Sequence, residues 1–446
     1  MSHPVPANKE DFDALCQACA CTLPYADDFS VLASPAEVGG KGVANRIVYQ
    51  AMEGCDGTRD GVPDELTMRR YMRFADGGPG IVWFEATAVM NEGRANPRQM
   101  YLNDNTVDRF ARIVSDIKER CMKTNGFEPL VLVQLTHSGR YSKPDGTPAP
   151  LIAYNNPVLE KDGALPASRI LTDDALDVLS EKLVAGAKLA ERAGFDGADI
   201  KSCHRYLLCE LLSAYTRPGK YGGSYENRTR MLRQTISGAV QTCSRNFILS
   251  SRLNIYDGIP YPYGFGVREG NGLQPDYSEA IRLVRDLAGC GVKLLNFTMG
   301  NPYSNPHVNR PFVKGPYVPD EPPLRGVERM LTGIAEVSKA VPDGIPVISS
   351  GLSYLGGVSS HVAAACIEAG WYTFAGYGRE VLAYPDTAKT ICRGEELPAD
   401  RLCITCSKCT EIMRAGGTPG CVIRDGEVYL PLYKQYVTKT RQEVTV

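Results

Sequence analysis

Residues 130–139 read LVLVQLTHSG, and this stretch indicates the fold most directly. It begins with a continuous apolar run, as a strand does when a parallel sheet buries it on both faces. Its polar side chains, Gln134 and His137, come only near the carboxyl end. In barrels of parallel strands that end carries the chemistry, so the stretch predicts a buried strand leading into a site.

The same pattern occurs eight times along the chain, and each apolar run is followed by a helical pattern. Eight strand–helix pairs in about 350 residues predict an α/β fold, a (β/α)₈ TIM barrel. A doubly wound sheet is the competing architecture, but no strand leads into a G-x-G-x-x-G turn. The predicted strands lie within residues 45–52, 80–89, 130–139, 195–202, 247–255, 292–300, 345–351 and 371–379.

The helix predicted at 172–193 illustrates the intervening segments. Thr172 can cap its first turn, and apolar residues recur on one face. Gly194 can adopt the left-handed conformation that ends a helix. Around the repeat we expect three parts: an N-terminal extension (1–27), the barrel (28–395) and a cysteine-rich C-terminal segment (396–446).

Composition excludes several classes of protein. The chain has 446 residues, of which 43% are hydrophobic and 22% charged, and its formal net charge is −2. Such a balance gives no bulk attraction to nucleic acid or to anionic membranes. No apolar run approaches the length of a membrane span, and the N-terminus lacks the basic start and apolar core of a signal peptide. We therefore expect a cytoplasmic protein.

Fifteen cysteines are present, and four of them have a regular spacing. The stretch CITCSKCTEIMRAGGTPGC (403–421) has the pattern C-x2-C-x2-C-x11-C. Three close thiolates and one remote thiolate can wrap a 4Fe–4S cluster. Structural zinc and unligated thiols are the alternatives, although zinc more often uses two balanced C-x2-C pairs. The predicted ligands are Cys403, Cys406, Cys409 and Cys421. A second group, Cys16, Cys19 and Cys21, has no obvious fourth ligand and is interpreted as packing.

Three stretches resemble signatures of the Old Yellow Enzyme family of FMN-dependent (β/α)₈ barrels. They are VQLTHSGRYS (133–142), KSCHRYLLCELLSAYTRPGKYGGSYENRTR (201–230) and GYGREVLAYPD (376–386). The resemblance runs from about residue 28 to about 395, where the KYGGSYENR part (220–228) is the most specific. The cysteine-rich tail is similar to the iron–sulfur branch of the family, which includes 2,4-dienoyl-CoA reductase and trimethylamine dehydrogenase.

The resemblance implies which residues would hold the FMN ring. Gln134 matches the glutamine that hydrogen-bonds the pyrimidine edge. Arg252 matches the cation that stabilises the reduced, anionic ring, although a salt bridge at the barrel rim is the structural alternative. Backbone that would line the ring comes from Ala51, Met52 and Ala86.

The FMN phosphate is expected at the loops after the seventh and eighth strands, where such barrels bind phosphate. Gly351 and Gly378 would let the backbone approach it closely. Arg379 could pair with the phosphate through a bidentate fork.

By the same resemblance, Lys201, His204 and Tyr206 form the substrate end. Lys201 and His204 would bind the carbonyl oxygen of an α,β-unsaturated substrate, and Tyr206 would protonate the α-carbon after hydride transfer from flavin N5. Lys201 departs from the family's His or Asn pair, because lysine is a point charge rather than a directional donor. Packing at the barrel rim is the alternative for His204 and Tyr206.

Glu53 is a second departure, at a position near the reactive face of the flavin. A carboxylate there disfavours the reduced anion unless it is protonated or paired. We expect Lys201 or Arg205 to pair with it. In the loop 256–275, several aromatic residues could form a wall for a flat substrate or could pack on themselves.

These features predict an oxidoreductase acting on CH–CH bonds, an ene-reductase dependent on FMN and a 4Fe–4S cluster. Its substrate would be a small unsaturated carbonyl, an enone such as a steroid or an enoate. An amine dehydrogenase or N-demethylase and an electron-transfer flavoprotein subunit are the alternatives. Electrons would come from NAD(P)H as external donor or from a redox protein such as a ferredoxin, a flavodoxin or a reductase subunit. Neither nucleic acid nor a membrane is expected as a partner, and a homo-oligomer is compatible with the sequence.

Overall fold

The computed structural model of the protein describes residues 4–438. Residues 1–3 of the predicted N-terminal extension and 439–446 of the predicted C-terminal segment therefore lie outside the described residues. Within the described range, no helix is both long enough and apolar enough to cross a membrane.

Eight parallel strands close into a barrel, as predicted. Each pairs with its neighbour along the chain, the last pairs with the first, and a bridge between Ile348 and Phe374 joins the seventh to the eighth. A short antiparallel hairpin, β1 (Ala36–Val38) with β2 (Lys41–Val43), precedes them. The barrel strands are β3 (Ile47–Tyr49), β4 (Ile81–Ala88), β5 (Leu130–Thr136), β6 (Gly197–Ile200), β7 (Ile248–Tyr256), β8 (Leu294–Met299), β9 (Val347–Ile348) and β10 (Ala375–Tyr377).

Helices surround the strands and continue into the C-terminal segment. The predicted helix at 172–193 is confirmed as Asp173–Arg192, because the Thr172 side chain accepts a hydrogen bond from the Ala175 N–H and Gly194 takes a φ of +83°. The helices are α1 (Lys9–Cys19), α2 (Glu65–Gly77), α3 (Val107–Asn125), α4 (Asp173–Arg192), α5 (Leu207–Leu212), α6 (Tyr225–Thr242), α7 (Ser278–Cys290), α8 (Pro306–Asn309), α9 (Pro323–Ser338), α10 (Ser359–Glu368), α11 (Arg379–Ala383), α12 (Thr387–Cys392), α13 (Lys408–Arg414) and α14 (Gly426–Tyr433).

Alternate residues of the strands belong to two separate apolar clusters. Ile81 and Trp83 of β4 lie in one cluster, and Val82 and Phe84 of the same strand lie in the other. Successive side chains of a strand point to opposite faces, so the barrel has one packed layer inside and another beneath its helices. This two-sided burial explains why the strands read as continuous apolar runs.

The described parts of the N-terminal and C-terminal segments both pack against the barrel. Phe12, Leu15, Cys19 and Cys21 belong to the large apolar cluster beneath the helices, which agrees with the packing interpretation of the N-terminal cysteines. The C-terminal segment has its own small cluster, which contains Ile412, Val422, Tyr429 and Val437. An ion pair of 2.7 Å between Asp425 and Arg69 of α2 joins this segment to the barrel.

Candidate functional site

One cavity at the carboxyl ends of the strands gathers most of the predicted site residues. They reach it from different strands, which the closed barrel brings together. The predicted residues that line it are Ala51, Met52, Gln134, Lys201, His204, Tyr206, Arg252, Gly351, Gly378 and Arg379. Ala86 does not line it, because its carbonyl faces Gln99, which donates a hydrogen bond of 3.0 Å.

Gln134 of β5 and Arg252 of β7 lie at one side of this cavity. Asp199 of β6, a fully buried carboxylate, accepts hydrogen bonds from the Gln134 side chain (2.7 Å), the Arg252 backbone N–H (2.6 Å) and the Trp83 indole (3.0 Å). Burial lowers the pKa of Arg252, and its Nε atom has no hydrogen-bond partner among the described residues. The arrangement leaves a cation facing the cavity, as binding of an anionic ring would require.

Two further guanidinium groups, those of Arg379 and Arg310, also line the cavity. Arg379 Nη2 donates to the Pro311 carbonyl (2.8 Å), and Arg310 Nη1 donates to the Ser407 hydroxyl (3.1 Å). Within residues 4–438 neither forms an ion pair with a carboxylate, and each has one buried nitrogen without a partner. Burial, and then the charge of Arg379, lowers the pKa of Arg310 to about 9.

Buried cations are normally paired, so two adjacent unpaired ones mark a place for an anion. Gly351 and Gly378 line the cavity beside them, and Gly351 has a φ of +96°, a conformation that favours glycine. The residues here fit the phosphate of FMN.

The substrate end contains Lys201, His204, Tyr206 and Glu53. The Tyr206 hydroxyl donates to Glu53 (2.8 Å), and the Lys201 ammonium lies 3.5 Å from the same carboxylate and 3.6 Å from the centre of the Tyr206 ring. Of the two expected partners for Glu53, Lys201 is therefore the one found. Arg205 is fully buried and pairs with Asp257 at 2.8 Å.

His204 lies in the same group in an unusual conformation. Its φ is +63°, and its Nε2 atom is buried without a partner among the described residues. Burial, with smaller contributions from Arg252 and Lys201, lowers the pKa of His204 well below its usual value. The ring is therefore neutral and can give one hydrogen bond to a bound molecule.

The aromatic surface of the cavity comes from Tyr206 and Tyr303, not from the loop 256–275. Tyr303, in the loop after β8, lines the cavity, its hydroxyl lies 3.1 Å from that of Tyr206, and its ring stacks on Tyr141 at 3.8 Å. The loop 256–275 packs on itself instead: Phe265 is fully buried, and the Tyr256 hydroxyl donates to the Leu273 carbonyl.

The four predicted ligand cysteines line a second, smaller cavity beside the first. Cys409, Arg379 and Leu382 line both cavities, so the two are adjacent. The Thr418 hydroxyl, between the third and fourth cysteines, donates to the Cys55 carbonyl (3.1 Å) and ties the segment to the loop after β3. Among the described residues, no group of three or more His, Cys, Asp or Glu side chains is placed so that it could hold a metal ion. The cysteines in question are Cys403, Cys406, Cys409 and Cys421.

Tyr303 and Arg310 line the cavity and were not among the sequence-based candidates. Neither was Asp199, the fully buried carboxylate that accepts hydrogen bonds from Gln134 and Arg252. Tyr303 and Arg310 both belong to the loop that follows β8. Because such barrels build their sites from these loops, the polar and aromatic residues just after the sixth predicted strand were the available signal.

Sequence comparison places the chain in a known family. Residues 31–262, just over half of the chain, match the model of the NADH:flavin oxidoreductase / NADH oxidase family. The NADPH dehydrogenase of Clostridium acetobutylicum is 27% identical over 247 residues, which cover 54% of this chain and 67% of that protein. The NADPH dehydrogenase of a Geobacillus species is 33% identical over 212 residues, which cover 46% of this chain and 58% of that protein. The chain thus matches only about half to two thirds of the length of such relatives.

Solved structures support the fold. The Old Yellow Enzyme homologue from Zymomonas mobilis superimposes with a TM-score of 0.61 at 23% identity, covering 83% of this chain and 94% of the other. A 2-naphthoyl-CoA reductase superimposes with a TM-score of 0.69 at 20% identity, and the superposition covers 89% of this chain and 57% of the other. The family match and the barrel agree, and the chain belongs to the NADH:flavin oxidoreductase / NADH oxidase family, that of the Old Yellow Enzymes.

Proposed function

We propose that the protein is an FMN- and 4Fe–4S-dependent ene-reductase that saturates the activated C=C bond of an α,β-unsaturated carbonyl compound. The observation that carries the proposal is the single cavity. It contains unpaired cations suited to an anionic cofactor at one end and a lysine, a histidine and a tyrosine suited to a carbonyl substrate at the other.

Each residue has a defined task in this proposal. Gln134 and Arg252 would hold the ring of FMN, and Arg310 and Arg379 its phosphate. FMN bound there would, once reduced, supply the hydride for the β-carbon of the substrate. Lys201 and neutral His204 would donate to the carbonyl oxygen, which gains negative charge as the hydride arrives. Tyr206 would give the α-carbon its proton.

The four cysteines support a cluster rather than zinc. Ligands of one zinc ion would all lie about 2.3 Å from it, so their sulfur atoms would converge on a point. A cubane takes one thiolate at each iron, and its ligands stand apart around a larger volume. The four cysteines line one cavity, and their unbalanced C-x2-C-x2-C-x11-C spacing favours a cluster over zinc.

A cluster at this place would lie next to the proposed FMN cavity, because Cys409, Arg379 and Leu382 line both cavities. We therefore favour a redox protein as the electron donor, with direct transfer from NAD(P)H as the second route.

Oxidation of an amine is the second candidate function. The aromatic rings of Tyr206 and Tyr303, together with the Glu53 carboxylate, would suit a cationic substrate. Lys201 argues against it, because its ammonium lies 3.5 Å from that carboxylate and would repel a second cation.

The test is to reduce the purified protein chemically without oxygen and to follow the flavin spectrum while 2-cyclohexenone or an enoate is added. We expect reoxidation with one equivalent of saturated product. Bleaching of the oxidised protein by amines, with no reoxidation by either unsaturated compound, would instead support amine oxidation. Failure of both reactions would indicate an electron-transfer subunit.

The cluster has a separate test, iron and sulfide analysis after anaerobic purification. We expect about four irons per chain and their loss in Cys421→Ser with FMN retained. Cys392→Ser is the matched control, because Cys392 is exposed and lies outside the cysteine cavity. Stoichiometric zinc, or iron retained in Cys421→Ser, would contradict the proposed cluster.

A further inference from the structure

The Glu53 carboxylate accepts a hydrogen bond from Tyr206, and the Glu53 side chain is more exposed than Tyr206. The Tyr206 hydroxyl lies 2.8 Å from Glu53 Oε1. Tyr206 is 2% exposed, whereas the Glu53 side chain is 14% exposed. A proton from water can therefore reach Glu53 more readily than it can reach Tyr206.

The backbone on both sides of Glu53 is held by a buried ionic network. Arg70 donates to the Met52 carbonyl (3.2 Å), and the Gly54 N–H donates to Glu85 (2.8 Å). Arg70 and Glu85 form an ion pair of 2.7 Å, and both side chains are almost completely buried. The network fixes the position from which the Glu53 side chain reaches Tyr206.

The proposed reduction would leave Tyr206 as a buried anion, which is unfavourable. A phenol that gives its proton to carbon becomes an anion, which burial disfavours and which a neighbouring carboxylate disfavours further. Burial, and then Glu53, hold the pKa of Tyr206 well above its usual value. Tyr206 thus needs a proton source in contact with its oxygen as its own proton leaves.

We propose that Glu53 is this source: protonated from water, it passes a proton to the Tyr206 oxygen as Tyr206 protonates the substrate. This inference rests on the proposed ene-reductase function. The O–H bond of Tyr206 breaks as a C–H bond forms at the α-carbon, and the electron pair left on the phenol oxygen takes the carboxyl proton of Glu53. The β-carbon takes the hydride that the reduced cofactor supplies. Glu53 is left as a carboxylate beside Lys201 and regains its proton from water.

The surroundings of Glu53 suit both protonation states. When it is ionised, Lys201 at 3.5 Å pairs with it and Tyr206 donates to it. When it is protonated, the same 2.8 Å contact carries its proton to Tyr206. The titratable groups that face Glu53 are Lys201, Cys203, Tyr206, Tyr303 and Cys55. Lys201 and Tyr206 are in contact with Glu53 and line the cavity, and Tyr206 makes the shorter contact, at 2.8 Å.

The experiment measures single-turnover reoxidation of the chemically reduced holoprotein by 2-cyclohexenone in wild type, Glu53→Gln, Tyr206→Phe and the double variant, between pH 5.5 and 9. Glutamine keeps an oxygen that can accept from Tyr206 but has no proton to relay. We expect about 100-fold slower reoxidation in Glu53→Gln, the scale of general acid catalysis. Because the proposed relay takes up a proton from water, the wild-type rate should fall with rising pH, and the variant should lose this dependence. Glu395→Gln, at an exposed position, is the matched control.

Two further readouts separate a relay from a structural role. Reoxidation by ferricenium, which needs no proton on carbon, should be unchanged in Glu53→Gln, and so should FMN affinity. Because Glu53 acts only through Tyr206, the double variant should be no slower than Tyr206→Phe alone.

The outcomes are distinguishable. A wild-type enzyme that reduces the enone while Glu53→Gln retains its rate and pH profile would overturn the relay and leave the ene-reductase function standing. Additive losses in the double variant would also overturn the relay. A wild-type enzyme that no enone or enoate reoxidises would overturn both proposals.

Discussion

The two ends of the cavity satisfy their charges in opposite ways. At the proposed phosphate end, which contains Arg310 and Arg379, the two guanidinium groups are buried near each other, and no carboxylate within residues 4–438 pairs with either. At the substrate end, Glu53, Lys201 and Tyr206 contact one another within 3.6 Å. The charges of the first end have no counter-charge within the described chain, so we call it the incomplete end. The charges of the second end, the complete end, are paired by its own side chains.

The difference indicates what each end can bind. Burying two like charges without a counter-charge is unfavourable, so the phosphate end is stabilised by whatever anion fills it. The substrate end gains nothing from a further charge, because Lys201 and Glu53 already neutralise each other. It offers hydrogen bonds instead, above all from His204, whose Nε2 has no partner among the described residues. A neutral molecule with one acceptor oxygen, such as an enone, suits that end.

The largest effect is expected from Tyr206→Phe, which removes the proton donor at the complete end. General acid catalysis contributes about 10²–10⁴-fold, so reoxidation of the reduced protein by 2-cyclohexenone should slow by that factor. Reduction of the flavin by dithionite should be unaffected, because that step does not use the phenol. Stopped-flow absorbance of the flavin measures both.

Tyr263→Phe is the control, since Tyr263 belongs to the loop 256–275 and does not line the cavity. A loss of less than about 10-fold in Tyr206→Phe would mean that its contacts with Glu53 and Tyr303 serve packing, and that the substrate end has another proton donor.

The barrel and most of the cavity could be predicted from the sequence because their signals are local. Seven of the eight strands lie within the predicted stretches, and β7 extends only one residue beyond its own, since strands buried on both faces must be continuously apolar. Gln134 and Arg252 come at fixed positions near the ends of such strands, and the barrel geometry brings them together. Knowing the strands was therefore enough to place these side chains at one end of the barrel.

The rest of the site lies in loops, whose paths depend on particular buried contacts. Asp257 is one example: it pairs with Arg205 and accepts a hydrogen bond from the Phe265 N–H (2.9 Å), which draws the aromatic loop inward, away from the cavity. Tyr303 and Arg310 reach the cavity by a path that no periodicity encodes. The partner of Glu53 could be narrowed to two residues from charge alone, but only the burial of Arg205 against Asp257 decides between them.

A smaller effect is expected at the incomplete end, from Arg379→Gln. A hydrogen bond to a charged group contributes about 1.5–3 kcal/mol, so losing the guanidinium should weaken FMN binding by about 10–150-fold. Removing Arg379 also removes its repulsion with Arg310, which offsets part of the lost binding. We therefore expect the lower part of this about 10–150-fold range. Fluorescence titration of the apoprotein with FMN and with riboflavin measures the change.

Riboflavin makes this test specific for the phosphate. It has the ring but no phosphate, so Arg379→Gln should bind it as the wild type does, while the preference for FMN over riboflavin falls. The exposed Arg393, changed to Gln, is the control for loss of one positive charge. Equal losses for the two ligands would show that Arg379 supports the cavity as a whole, through its contact with the Pro311 carbonyl. In that case Arg310 alone would remain as the cation for the phosphate, and the contrast between the two ends would rest on a single unpaired charge.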